Sequence, residues 1–381
     1  MSEILAPAGG ENSAISAINA GADAIYLGLD KFSARSSAEN FNIESFIKIC
    51  KYAHAFGVKV YAALNTVVKN SELESFLKTC VEVWNAGADA IIIQDLFLGK
   101  FIKENKPQIR LHLSTQAGTC NVSGAVLAKE FGFERVILAR ETSLSDIKKI
   151  CEIIETEVFV QGALCTCFSG QCYMSSFAGG NSGNRGKCKQ PCRKLYSINR
   201  KGFEKLSYKL SLADLSVGER IFDLIDAGVT SFKIEGRMKS EYYLATVINA
   251  YRRCMDGGFS PVVERELLTA SHRDYTTAYT LGDNHQTVNY TDSQAKGDCD
   301  YVGNVLSGGN GVAVVEMRGR FKVGDRLEVL SPTDNFGRSF VVESAATSSG
   351  EQVTDCKLVQ EHYTVNCPYT LSSGDILRRR K

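Results

Sequence analysis

Three stretches of this 381-residue chain repeat one signal: INAGADAIYLG (18–28), WNAGADAIIIQ (84–94) and IDAGVTSFKIEG (225–236). In each, a glycine follows an amphipathic run and precedes a short apolar one. Glycine closes helices because it takes the left-handed backbone at the residue after the last turn. The apolar run behind it has the length and β-branching of a buried strand. A helix ending on Gly and feeding directly into a buried strand is half of a βαβ unit, so the signal implies a parallel sheet.

Working outward, eight such runs occupy the first 260 residues. They are 3–9, 24–28, 59–65, 90–96, 110–116, 135–140, 158–165 and 231–238. Amphipathic segments such as NIESFIKICKYAHAFG (42–57) and SELESFLKTCVEVWNAG (71–87) lie between most of them. Eight strands over about 250 residues predict a closed (β/α)8, TIM-like barrel rather than an open sheet. The gap before the eighth strand is too long for a plain crossover. It predicts an insertion over about 165–210, at the strand ends where barrels carry their sites. It also holds a predicted hairpin, KLYSINRKGFEKLSYKLS (194–211), and a helix, SVGERIFDLIDAG (216–228).

That insertion carries Cys165, Cys172, Cys188 and Cys192, spaced C-x6-C-x15-C-x3-C in a stretch rich in Gly, Ser and Asn. Such a loop can fold its thiolates around a metal centre. Four thiolates suit tetrahedral zinc or an iron–sulfur cluster. Structural zinc favours paired knuckles, and only Cys188 and Cys192 stand that close. Cys167 is a further thiol that could replace Cys165. Cys50, Cys80, Cys151 and Cys254 lie in helix-like runs and read as core thiols. Cys299, Cys356 and Cys367 have no partner spacing, and Cys120 follows a strand. Met1 is followed by SEILAPAGG, with no basic leader or apolar h-region, so a cytoplasmic protein without membrane spans is expected. In that compartment, clustered cysteines bind metal more often than they pair.

Composition is that of an ordinary globular protein: 44% hydrophobic, 23% charged, net charge +1. The local charge is less even. From Arg185 to Lys209 there are nine Lys or Arg and one acid, Glu204. This run, with Arg185, Lys187, Lys189, Arg193 and Lys194 nearest the cysteines, is either a solvated loop or a phosphate-contacting patch. Polar residues also collect at strand ends, including Asn65, Gln116 and Arg140. Lys233, Glu235 and Arg237 alternate and so share one face of the last strand. Three charges facing a barrel interior demand pairing or a bound anion. Arg35, after the second strand, is a candidate anion clamp.

The barrel is assigned to 1–260. A turn-rich connector follows over 261–298, where His272 and Arg273 are candidates for ligand or RNA contact, with a surface salt bridge as the alternative. Short strands with Gly-Asp turns predict a small all-β barrel over 299–381. Its tail, Arg378–Lys381, reads as solvated.

LAPAG (5–9), DAIYLG (23–28), FSAR (32–35), the four-cysteine loop, QPCR (190–193) and KIEGRMKS (233–240) together resemble the U32 family, grouped with collagenase-like peptidases. SHRDYTTAYTLG (271–282) and the C-terminal module are similar to its short branch. The resemblance implies 5-hydroxyuridine formation at the tRNA wobble position. It also implies a [4Fe-4S] cluster on Cys165, Cys172, Cys188 and Cys192, and prephenate as a small carboxylate ligand or oxygen donor. Longer relatives hydroxylate a ribosomal cytidine, and others support oxygen-independent ubiquinone hydroxylation. A homo- or hetero-oligomer with a related subunit is a further expectation. The alternatives are a peptidase, for which the chain offers neither HExxH nor G-x-S-x-G, and a structural-zinc scaffold that binds RNA without catalysis.

Overall fold

A computed structural model describes residues 2–36, 38–169, 171–197, 206–281 and 287–381. The chain divides into two compact units. One comprises Met1–Ala14, Ala22–Lys239 and His272–Ala295; the other comprises Ile15–Gly21, Ser240–Ser271 and Lys296–Lys381.

The first unit is a closed parallel barrel. Its strands are β1 (Glu3–Ala8), β2 (Ala24–Leu27), β3 (Lys59–Ala63), β4 (Ala90–Ile93), β5 (Leu111–Leu113), β6 (Arg135–Ile137), β7 (Glu155–Ala163) and β9 (Ser231–Ile234). Each pairs in parallel with the next, and β9 pairs with both β7 and β1, which closes the ring. These are the eight runs read from the sequence. The glycine signal works as expected: Gly21, Gly87 and Gly228 have φ of +100°, +107° and +89°. The crossovers contain α2 (Ile43–Ala55), α3 (Leu73–Asn85), α4 (Leu96–Asn105), α5 (Val122–Glu130), α6 (Leu144–Cys151) and α8 (Ile221–Asp226). Asn42, Asp95, Asn121 and Ser143 cap four of them by accepting backbone N–H bonds.

Between β7 and β9 come the cysteine insertion, with a short helix α7 (Met174–Gly179), and then β8 (Asp214–Ser216). Strand β8 runs antiparallel to the end of β7, and β10 (Tyr275–Thr276) adds to its other edge. The predicted hairpin closes through an antiparallel bridge from Tyr196 to Ser207. Its centre, 198–205, lies outside the described residues, as does 282–286.

The second unit carries an antiparallel all-β domain. Its main sheet has eight strands and encloses Val302, Val315, Met317, Leu327, Val329, Tyr363 and Leu377. The chain's tail is a correction to the sequence reading. Ile376–Arg380 is an interior strand of this sheet, and Arg378 is fully buried. Arg378 donates to both oxygens of Glu266 at 2.6 and 2.7 Å and to Glu328. The run of arginines has acids waiting for it, which no local pattern announces. Among the described residues, no helix is long and apolar enough to cross a membrane.

Candidate functional site

The C-terminal strand ends of the barrel surround a cavity of about 530 Å3. Lys233, Glu235 and Arg237, alternating along β9 and beyond it, all line it, as do Arg35, Asn65, Gln116 and Arg140 from other strand ends. Seven polar residues singled out in the sequence thus meet in one place.

Their electrostatics differ. Lys233 donates to Glu157 Oε1 at 2.7 Å, and its Nζ lies 3.7 Å from the centroid of the Tyr26 ring. Burial lowers the Lys233 ammonium pKa, while Glu157 opposes the shift. Glu235 lies 3.3 Å from Arg35 and 3.8 Å from Arg140. Burial pushes its carboxyl up, but Arg35, Arg140, Lys233 and Arg237 outweigh burial and hold it below the ordinary range. The Arg140 guanidinium stacks over Phe159 at 3.8 Å. Arg237 donates to Ser33 Oγ at 2.7 Å and to Asn40, yet its buried Nε has no partner. Burial brings Arg237 down to about 10. An orphaned donor on a buried cation carries a desolvation cost.

Beneath this floor runs a chain of buried charges that the sequence reading missed. Arg135 bonds Glu3 at 2.5 Å and Glu157 at 3.4 Å, and Glu157 in turn accepts from Lys233. Tyr61 and Ser231 also donate to Glu3. His112 sits against Tyr61 with Nδ1 unpartnered, and burial beside Arg135 pushes its pKa far below the usual value. The available signal was phase: each of these residues interrupts an apolar strand at an inward-pointing position.

The cysteine insertion forms one wall. Cys165, Cys172, Cys188 and Cys192 all line the cavity, with Phe168 among them. Cys167 is not on that wall. Its thiol is pushed up to about 12 by burial and by its hydrogen bond to Cys172. The insertion is pinned to the barrel at several points. Ser36 Oγ donates to Gly186 O at 2.7 Å. Gly186 has φ of +81°, and a Cβ there would collide with the Ser33 carbonyl, so only glycine allows this approach. Ser175 Oγ donates to Cys188 Sγ at 3.7 Å and Gln190 N–H to the same sulfur at 3.4 Å. Burial raises the Cys192 thiol, Arg193 opposes it, and the neighbouring Cys165, Cys188 and Cys172 add to the rise.

The basic residues take separate paths. Arg185 pairs with Glu72 at 2.6 Å and donates to Val67 O. Arg193 donates to Leu212 O and Leu164 O at 2.6 and 2.8 Å, and Arg273 pairs with Asp214 at 2.5 Å. Arg193 and Arg273 both line the cavity. His272 stacks on Tyr275 with ring centroids 4.0 Å apart. Lys187, Lys189 and Lys194 are exposed. Tyr26, Phe159, Phe168 and Met238 also line the cavity and were not singled out from the sequence.

A closed parallel barrel whose strand ends and cysteine-rich insertion share one cavity defines the class: an α/β-barrel with its site at the C-terminal mouth. Within that class, the chain belongs to peptidase family U32. The profile for Peptidase family U32 matches residues 10–290, and that for the Peptidase family U32 C-terminal domain matches 297–378. A tRNA hydroxylation protein P1 of Bacillus subtilis (strain 168) is 32% identical over 357 residues, covering 88% of this chain and 85% of that one. A tRNA hydroxylation protein P of Escherichia coli (strain K12) is 30% identical over 409 residues, covering 92% and 90%. A collagenase of Porphyromonas gingivalis (strain ATCC BAA-308 / W83) is 31% identical over 362 residues, covering 87% of each.

Proposed function

We propose that this chain is an RNA-modifying enzyme that hydroxylates the wobble uridine of tRNA to 5-hydroxyuridine without O2. In this reading Cys165, Cys172, Cys188 and Cys192 hold a [4Fe-4S] cluster, and a small carboxylate such as prephenate binds beside it. The observation that carries the reading is the shared cavity: four thiols form one wall and a cationic cluster forms the floor. Relatives named as tRNA hydroxylation proteins supply the substrate class.

The donor set fits such a cluster. The four thiols line one wall of the cavity, and thiolates are the ligands such a cluster takes. Two donors already aim at the Cys188 sulfur, and hydrogen bonds to ligand sulfurs are a usual means of tuning a cluster. Among the described residues, no three metal-ligating side chains lie close enough to hold a single ion. When bound, the cluster supplies redox and Lewis-acid chemistry at the wall of the cavity.

The chain's own residues do the rest. Arg35, Arg140 and Arg237 present guanidinium groups to a carboxylate, with Glu235 keeping two of them in place. Tyr26 and Phe159 supply flat apolar walls. A cavity of about 530 Å3 takes a nucleobase or a small carboxylate. A base inside a tRNA loop reaches it only by leaving its stack. No histidine lines the cavity among the described residues.

The test is iron, acid-labile sulfide and zinc content of anaerobically purified protein, with nucleoside analysis of tRNA from a deletion strain complemented by wild type or Cys188→Ala. Iron and sulfide in near-equal amounts, and loss of both cluster and 5-hydroxyuridine in the variant, are the expected results. A fully active Cys188→Ala protein, or zinc without sulfide, would sink the reading.

A further inference from the structure

Helix α7 carries two large aromatic side chains. Tyr173 stands at its start and Phe177 four residues on, so both side chains share one face. Phe177 is 90% exposed and Tyr173 59% exposed. Ser175, on the opposite face, is buried against Cys188 and accepts the Lys189 N–H at 3.0 Å. The helix is therefore clamped to the cysteine wall by its small polar side, and its two aromatics are turned to solvent. Two large aromatics exposed together on one face form an apolar patch open to a partner.

The surroundings name that partner's chemistry. No Asp or Glu occurs between Glu157 and Glu204, and Lys187, Lys189 and Lys194 are exposed within that stretch. Flat aromatics among unpaired lysines fit a polyanion that carries its own flat rings. Single-stranded nucleic acid meets that description: its bases stack on aromatic side chains while lysines follow the phosphates. Tyr173 directly follows Cys172, which lines the cavity, so the platform begins at the cavity wall.

We infer that the Tyr173–Phe177 face of α7 is a stacking platform for an unpaired base next to the one that enters the cavity. The inference rests on the RNA reading above and deepens it. Phe177 is a positioning residue: it holds the neighbouring base and leaves the chemistry to the cavity.

The test uses the full chain, purified anaerobically, and two synthetic RNAs. One is an anticodon stem–loop hairpin with uridine at the wobble position and 2-aminopurine beside it; the other is a blunt duplex of the same strands. Wild type should prefer the hairpin and quench the 2-aminopurine. Phe177→Ala should weaken hairpin binding about tenfold, the loss of one stacked base, and abolish the quench. Phe177→Trp should restore both. The slope of log K against log salt should stay unchanged in Phe177→Ala and fall by about one in Lys187→Ala. So exposed a side chain can be removed without unfolding the protein, and an unaltered melting temperature checks this. Equal affinity and quench in wild type and Phe177→Ala would overturn the platform and leave the RNA reading standing. Loss of self-association in Phe177→Ala with RNA binding intact would make the face a protein contact and overturn it too. A wild type that binds neither RNA would remove the RNA reading itself.

Discussion

Beneath the cavity floor, Glu3, Arg135, Glu157 and Lys233 form a chain in which each charge meets an opposite charge within 3.4 Å. At the mouth, Arg35, Arg140 and Arg237 gather round a single carboxylate, Glu235. Both groups sit inside the same barrel, built on the same alternating strands. The lower one is balanced, and burial can be tolerated because each ion is paired and hydrogen-bonded. The upper one keeps an excess of positive charge and an orphaned donor on Arg237. A fold gains nothing from leaving cations in surplus, so the imbalance points to a ligand, whereas the balance below points to structure. Lys233 belongs to both: it pairs downward with Glu157 and faces upward into the cavity.

The largest expected effect breaks the lower group. Arg135→Met leaves Glu3 and Glu157 buried without their guanidinium, which should cost about 3–5 kcal/mol. Urea unfolding of the variant would show it as a lower midpoint with an unchanged slope. A loss below 1 kcal/mol would mean that water or a rearranged partner already reaches these carboxylates, and the contrast would fail. The upper group should respond in the opposite way. Arg140→Gln leaves Glu235 with Arg35, so stability should change by less than about 1 kcal/mol. Its affinity for prephenate, by titration calorimetry, should fall about tenfold, the worth of a charge-assisted hydrogen bond. A variant that loses stability yet binds prephenate as before would assign Arg140 to the structural set.

The barrel was legible because its strands are buried on both faces and its helices end on glycine, two signals that lie within ten residues of each other. The mouth was legible for a related reason: Lys233, Glu235 and Arg237 stand out against apolar neighbours. The lower chain was equally exposed to view, since Glu3, His112, Arg135 and Glu157 also interrupt apolar strands, but each stands alone in its own strand. Only closure of the ring brings them together. Strands β8 and β10 were not legible, being three and two residues long and held by pairing rather than by composition. The basic run shows the same limit. Arg185 and Arg193 are neighbours of Lys187 and Lys189 in sequence, yet each finds a partner more than eighteen residues away, at Glu72 and Leu212. A pattern of charge does not reveal which charges are already spent.

Arg185 and Glu72 offer the smallest and most exposed version of the contrast. The pair fastens the insertion to the barrel, and about three-tenths of each side chain remains open to solvent. Bonds from Arg185 and from the Lys69 N–H bring the Glu72 carboxyl down to about 2 from an ordinary 4.5. A depressed carboxyl contributes stability that is fully present above the unfolded value and is lost as pH falls through the folded one. The anchor should therefore hold above pH 4.5 and release as pH drops toward 2. Because a partly exposed pair is worth at most about 1 kcal/mol, global unfolding will scarcely register Glu72→Gln. Hydrogen exchange should, since the Val67 N–H bonds the Asn184 carbonyl across this seam. At neutral pH the Val67 amide should exchange faster in Glu72→Gln than in wild type, and the two rates should converge as pH approaches 2. Equal protection at neutral pH would show that the other contacts, the Ser36–Gly186 bond among them, hold the insertion without this pair, and that Arg185 is as free for RNA as its sequence suggests.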